Sequence, residues 1–212
     1  AERTRRPRTP SVVDLSPPFP SWLDVMAESG LRVWAGPGFA EASWGMEAPQ
    51  AVTWLWNREN GRKQFDAAKA VMKQAEAHAC GRLTGIVFPA QIDTVGEELF
   101  REAIAYAQES GRGFTTHIAQ AVVEGREVIR RHGITPIQWA HSLGMLTPRA
   151  ILGHAIFLDE HSSIGWHTAK DLGLVADSGA TVAHCPSPFA RYGEHLQHFG
   201  RYRARGVNMG FG

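Results

Sequence analysis

Cysteine is nearly absent from this chain. Cys80 and Cys185 are the only two in 212 residues, and they stand 105 positions apart with no C-x-x-C pairing. That count and spacing argue against a disulfide framework and a structural zinc knuckle, and a reducing, cytoplasmic setting is expected. Long apolar runs are missing, for no stretch approaches the roughly 18 residues a membrane-spanning helix needs. No cationic segment followed by an apolar one opens the sequence, so no signal peptide is visible. Charge of one sign is also lacking. Lys and Arg number 22 against 21 Asp and Glu, a formal net charge of +1, whereas nucleic-acid binders carry a clear basic excess. Neither a membrane nor a nucleic acid is therefore expected as a partner. The one basic cluster is Arg3, Arg5, Arg6 and Arg8, and residues 1–10 read as a disordered or unassigned tail. There is no G-x-S-x-G elbow, no Walker A loop and no G-x-G-x-x-G. The glycines of AGPGFA (Ala35–Ala40) have the wrong spacing for a phosphate loop, and Pro37 removes one of the amides such a loop needs. The chain lacks an initiator Met and stops at Gly210-Phe211-Gly212, so it is expected to be a fragment.

What remains is ordinary globular composition, 43% hydrophobic and 20% charged, with a regular internal order. Short apolar runs alternate with longer amphipathic ones. The strand-like runs are Ser11–Leu15, Leu31–Ala35, Gly85–Phe88, Gly113–Ile118, Ala150–Phe157, Thr181–Cys185 and Val207–Phe211. Several are rich in Val, Ile or Phe, as buried parallel strands are. Helical periodicity fills the gaps at Ser21–Ser29, Phe65–His78, Glu97–Glu109, Val122–His132, Pro136–Leu143 and Gly165–Ser178. This is the sequence form of repeated βαβ units. The strand candidates are too many for a flavodoxin-like sheet and one short of a (β/α)8 barrel. The segment Gly36–Gly61, with Trp44, Trp54 and Trp56, reads as a long loop that either faces substrate or packs its aromatics onto the barrel.

His117, His154 and His184 stand at or near the carboxyl ends of three successive strand candidates, 37 and 30 residues apart. In a parallel barrel those ends share one rim, where the active sites of this fold lie. A lone His in an apolar strand is ordinarily a buried residue hydrogen-bonded to backbone. Three in register point instead to a site, because imidazole binds zinc and related ions and can hold or deprotonate water. His78, His132, His141, His195 and His198 lie on helix faces or turns, while His161 and His167 flank a loop where a substrate role stays open. Cys185 and His184 are adjacent in a strand and point to opposite faces, which argues against a nucleophile–base pair.

The segments THIAQ (Thr116–Gln120), ILGHAIFLDE (Ile151–Glu160) and VAHCPSPFARYG (Val182–Gly193) resemble the amidohydrolase superfamily. The nearest branch is that of the cytosine and guanine deaminases and the atrazine chlorohydrolase-like triazine hydrolases. The resemblance implies a (β/α)8 TIM-type barrel, incomplete here, in which residues 11–212 cover strands two to eight. It implies that His117, on strand five, binds one divalent metal ion, zinc or iron. It implies that His154, on strand six, holds the attacking water or hydroxide, and that His184, on strand seven, is structural or substrate-facing. The strand-one His-x-His pair would precede Ala1 and the strand-eight aspartate would follow Gly212. The ion is thus expected in the full-length protein and weakly or not at all in this segment.

One departure bears on the reaction. Many deaminases of this branch carry Glu three residues after the strand-five histidine as the proton shuttle. This sequence has Gln120 there, and a carboxamide can orient a substrate but not exchange its proton. Glu124, a helical turn on, is expected to point away from the rim. The implied activity is a metal-dependent hydrolysis. A metal-bound hydroxide would displace an amino, amine or halide group from a small nitrogen-rich heterocycle, or cleave a non-peptide C–N bond. His154 and Gln120 are the catalytic candidates, His117 the metal ligand, and His184, Phe189 and Trp44 the substrate contacts. A small molecule is the expected partner, and self-association stays open. The rival readings are a catalytically impaired barrel that acts as a binding protein, and a metal-free α/β barrel.

Overall fold

A computed structural model describes residues 10–49 and 51–212. The expectation about the arginine-rich start lies outside the described residues, apart from Pro10. In chain order the strands are β1 (Ser11–Asp14), β2 (Arg32–Ala35), β3 (Gly38–Phe39), β4 (Ala42–Ala48), β5 (Ala51–Trp56), β6 (Leu83–Pro89), β7 (Gly113–Ile118), β8 (Ala150–His154), β9 (Thr181–His184) and β10 (Asn208–Phe211). The helices are α1 (Trp22–Glu28), α2 (Arg58–Ala77), α3 (Glu97–Glu109), α4 (Val122–His132), α5 (Pro136–Ser142), α6 (Asp171–Ser178), α7 (Pro186–Ala190) and α8 (Phe199–Ala204).

The main sheet runs β1-β2-β6-β7-β8-β9-β10, with β3 added at the end of β6, and its pairings are parallel. Strands that neighbour one another in the chain order of the barrel and run parallel must be joined by crossovers, and the helices supply them. The result is an incomplete (β/α)8 barrel whose strands all present their carboxyl ends to one rim. Its sequence cause is plain at β6, where LTGIVFP is buried at nearly every position. Such a strand has the barrel interior on one side and helices on the other. α3 buries Leu99, Phe100, Ala103, Ile104 and Ala107, the one-sided stripe expected from its periodicity. No helix among the described residues is long and apolar enough to cross a membrane.

Several features depart from the sequence expectation, among them α7 and α8, which it did not include. Gly36–Gly61 is not a loop. It holds β3, the antiparallel pair β4–β5 and the first turn of α2. That helix starts at Arg58 rather than Phe65, because the Asn57 side chain accepts from the Asn60 amide at 3.0 Å and caps it. Its first turn is polar, so apolar periodicity does not reveal it. β8 stops at His154 rather than Phe157, since His154 (φ 99) and Ala155 (φ 45) turn left-handed. α6 begins at Asp171 rather than Gly165, after an irregular segment organised by buried carboxylates.

Candidate active site

His117 and His154 meet at the rim by different means. His117 pairs in register with Gly153, and Ile118 with His154, across β7 and β8. A Cβ added to Gly153 would lie 3.0 Å from Cδ2 of His117, so the glycine leaves the room that the ring occupies. Paired residues in a sheet point to the same face, and successive ones to opposite faces. A regular β8 would therefore send His154 the way of Ile118, which is fully buried in the core. Instead its left-handed backbone brings the ring parallel to that of His117, with centroids 5.2 Å apart and planes 6° from parallel. A non-glycine residue at such a φ costs on the order of 1–3 kcal/mol and persists only where its surroundings enforce it.

Both rings are shifted toward the unprotonated form. Burial, then the neighbouring His117 and His184, push His154 down to about 4. Burial also lowers His117, with the Ala90 carbonyl drawing it partly back up, and burial lowers His184. Nδ1 of His154 and of His184 is buried without a hydrogen-bond partner among the described residues. His184 lies 5.8 Å from the Phe199 ring and 6.1 Å from that of Phe211. Phe189, on α7, sits edge-on to His154 at 4.5 Å, and Phe88 edge-on to His117 at 5.3 Å. Gln120 and His117 line one open cavity of about 490 Å³ with Gln64, Gln91, Phe39 and Phe88.

Trp44 does not join this group. Its indole N–H donates to Oδ2 of Asp93 at 2.7 Å, and that of Trp54 to the same oxygen at 2.8 Å. The Arg131 guanidinium lies over Trp54 and Trp56. The hairpin thus ties the indole N–H groups of Trp44 and Trp54 to Asp93, on the loop after β6. Glu124 also departs from expectation. It is fully buried and folds back to accept from the amides of Ala119 at 2.6 Å and Gln120 at 2.9 Å. His161 stacks edge-on against Phe157, and His167 tilts against Trp166.

Sequence reasoning missed Gln91, Gln64 and Phe88. Gln91 bridges to His117 in parallel register, and its position two residues beyond β6 was the available signal.

The donor chemistry of His117 fits a divalent ion in kind. A ligating histidine usually gives its other N–H to a carbonyl or carboxylate, and the Ala90 carbonyl, which takes the His117 backbone amide at 3.1 Å, raises the ring's affinity for a proton. In number the fit is partial. No group of three or more His, Cys, Asp or Glu among the described residues could hold a metal, whereas a protein site commonly needs about three ligands.

A family description, Amidohydrolase family, matches residues 16–212. Over 207 residues the chain is 28% identical to the 5-methylthioadenosine/S-adenosylhomocysteine deaminase of Halobacterium salinarum, covering 98% of this chain and 43% of that protein. A guanine deaminase from C. acetobutylicum, solved with bound guanine, superposes with a TM-score of 0.76 at 14% identity, over 98% of this chain and 46% of that one. An atrazine chlorohydrolase from Arthrobacter aurescens, complexed with zinc, superposes with a TM-score of 0.72 at 20% identity, over 96% and 44%. These two structural likenesses speak to the fold. The chain spans less than half the length of the relatives it matches.

Proposed function

The chain belongs to the amidohydrolase family, and we propose that it forms most of the barrel of a metal-dependent hydrolase acting on a small nitrogen-rich heterocycle. The reaction replaces an amino, amine or halide group on a ring carbon by hydroxyl. The observation that carries this reading is the parallel pair of imidazoles, His117 and His154, at the rim. His117 adjoins a cavity that Gln64, Gln91, Gln120, Phe39 and Phe88 help to line.

In this reading His117 is one ligand of a divalent ion, zinc or iron, and the remaining ligands come from residues beyond this stretch. A bound ion of that kind supplies positive charge that acidifies water and polarises the carbon under attack. His154, kept neutral by burial, accepts a hydrogen bond from the attacking water and orients it. Gln120 hydrogen-bonds the heterocycle and leaves proton transfer to another group, since a carboxamide does not titrate. Phe189 walls the ring, and His184 faces the substrate from the next strand. Besides His117, the cavity is lined by three carboxamides, two phenyl rings and small or aliphatic residues such as Leu15 and Pro17, with no charged side chain among the described lining residues, which favours an uncharged substrate. Its volume of about 490 Å³ falls within the range of small-molecule pockets, about 300–1,000 Å³.

Gln120 also favours a second reading, a barrel that binds such a ring without turning it over. The two separate on the full-length protein loaded with zinc or iron and offered aminated and chlorinated triazines, pyrimidines and purines. Release of ammonia, amine or chloride supports the hydrolase. Tight ring binding with metal present and no release supports the binding protein.

A further inference from the structure

The turn that carries Gln120 and the turn that follows from His154 are tied to a single buried side chain that no reaction step uses. Glu124 lies in the first turn of α4 with no exposed surface. Its carboxylate takes the Ala119 amide on one oxygen and the Gln120 amide on the other. Ala119 is itself left-handed, at φ 50. A non-glycine residue in that region is held there by its contacts, and the short bond from its amide to Glu124 is one of them. The carbonyl of the same residue accepts from the amides of Ile156 at 2.8 Å and Phe157 at 2.9 Å, while Ile118 O accepts from Ala155 N at 3.0 Å. A chain of hydrogen bonds therefore runs from Glu124 through Ala119 to the residues that follow His154 in its strained turn. From the far side, the Tyr202 hydroxyl donates to the Ala155 carbonyl at 2.7 Å.

The setting is unusual for a carboxyl group. Burial and the nearby Asp93 carboxylate push Glu124 well above the ordinary carboxylate range, and the amides of Gln120, Ala119 and Ala121 pull it back. The Trp44 and Trp54 indoles satisfy one Asp93 oxygen. Arg131, which also binds the Asp93 carbonyl at 2.7 Å, adds positive charge beside it. A buried acid bonded to two successive amides is costly to place and gives nothing to an apolar core. The return is geometric.

We propose that Glu124 is the positioning residue of this site, fixing through Ala119 both the Gln120 turn and the turn that aims His154 at His117. The proposal rests on the hydrolase reading for its kinetic consequence but not for its structural one, and the test separates them. Glu124→Gln in the full-length protein keeps the shape and presents a carboxamide NH2 donor where one backbone amide needs an acceptor. Hydrogen–deuterium exchange is read over 118–121 and 155–157, together with kcat, KM and the unfolding midpoint. The expected result is faster exchange in both segments and a kcat lower by roughly 10- to 100-fold, the usual cost of removing an outer partner of a metal site, with KM changed less. Val128→Ala, which trims a fully buried residue of the same helix, is the control. It is expected to lower the unfolding midpoint and leave kcat intact.

Exchange in Glu124→Gln that matches the wild type in both segments overturns the proposal, as does a Val128→Ala variant that loses kcat to the same extent. If Glu124→Gln does not fold, the wild type still decides: rapid exchange at Ala119 and Gln120 refutes the clamp. If the protein turns over no heterocycle, the exchange data test the clamp while the hydrolase reading fails by itself.

Discussion

Replacing Asp171 by Asn should remove a specific part of the dependence of stability on pH. Asp171 is fully buried at the start of α6. It accepts from the Asp159 amide at 2.9 Å, the Thr135 hydroxyl at 2.7 Å and Gln138 Nε2 at 2.8 Å. Asp159, equally buried, takes the Thr168 hydroxyl and the Lys170 and Asp171 amides on one oxygen. Burial first, and then the charge of Asp159, raise Asp171 from 3.8 to about 6. The folded protein thus holds a proton over a range in which the unfolded chain has lost it. The stabilisation from this proton is complete below the unfolded value and disappears as pH rises through the folded one. Its full span is about 3 kcal/mol, since each tenfold gain in proton affinity is worth about 1.4 kcal/mol. Between pH 7 and pH 5 the linkage relation gives a gain of about 1 kcal/mol. Asn does not titrate, so urea unfolding of the full-length wild type and Asp171→Asn at both pH values should show this gain only in the wild type. A stability difference between the two proteins that is the same at pH 7 and pH 5, or that moves in favour of the variant on acidification, refutes the reasoning.

Three further substitutions follow from single contacts. Tyr202→Phe removes the buried donor to the Ala155 carbonyl; urea unfolding should show a loss of about 1–3 kcal/mol, with turnover reduced because His154 is next in the chain. Gly153→Ala puts a methyl group against the His117 ring and the Thr116 carbonyl, each 3.0 Å from the new carbon. Metal uptake and turnover should both fall, at a stability cost of about 1–3 kcal/mol, and wild-type uptake in this variant contradicts the placement. Trp44→Phe takes one of two indole donors from Asp93 and should cost about 1.5–3 kcal/mol, as for a hydrogen bond to a charged group. Its KM should not move where the indole serves only to hold Asp93, and a raised KM shows Trp44 in contact with substrate.

Much of this architecture is written in local pattern. The bounds of α3 and α4 follow from apolar periodicity, and the rim positions of His117, His154 and His184 follow from the spacing of strand candidates about one βα unit apart. The hairpin also leaves a trace, since Trp44 and Met46, then Val52, Trp54 and Trp56, alternate with period two, but Gly45 and Pro49 mask it. Other features have no local signature. The left-handed turn at His154 and Ala155 uses residues that ordinarily avoid that region. Its partners lie far along the chain, in β7 and its following turn and at Tyr202, which is 47 residues further on. Glu124 has the pattern of a solvated helix residue because its partners, the amides of Ala119 and Gln120, are backbone groups invisible to composition. Asp93 shows nothing in sequence of the two tryptophans, 49 and 39 positions away, that make its burial tolerable.

The division of labour between His117 and His154 is tested most directly by metal content. The full-length wild type, His117→Ala and His154→Ala proteins are purified, exposed to zinc or iron, dialysed, and analysed for bound ion alongside turnover. The account predicts about one ion per chain in the wild type, the usual content of a mononuclear site. It predicts a large loss of that ion in His117→Ala, and in His154→Ala a retained ion with turnover lost. A wild-type protein that turns over a heterocycle while binding no ion contradicts the account, as does a His117→Ala protein that binds the ion as tightly as the wild type.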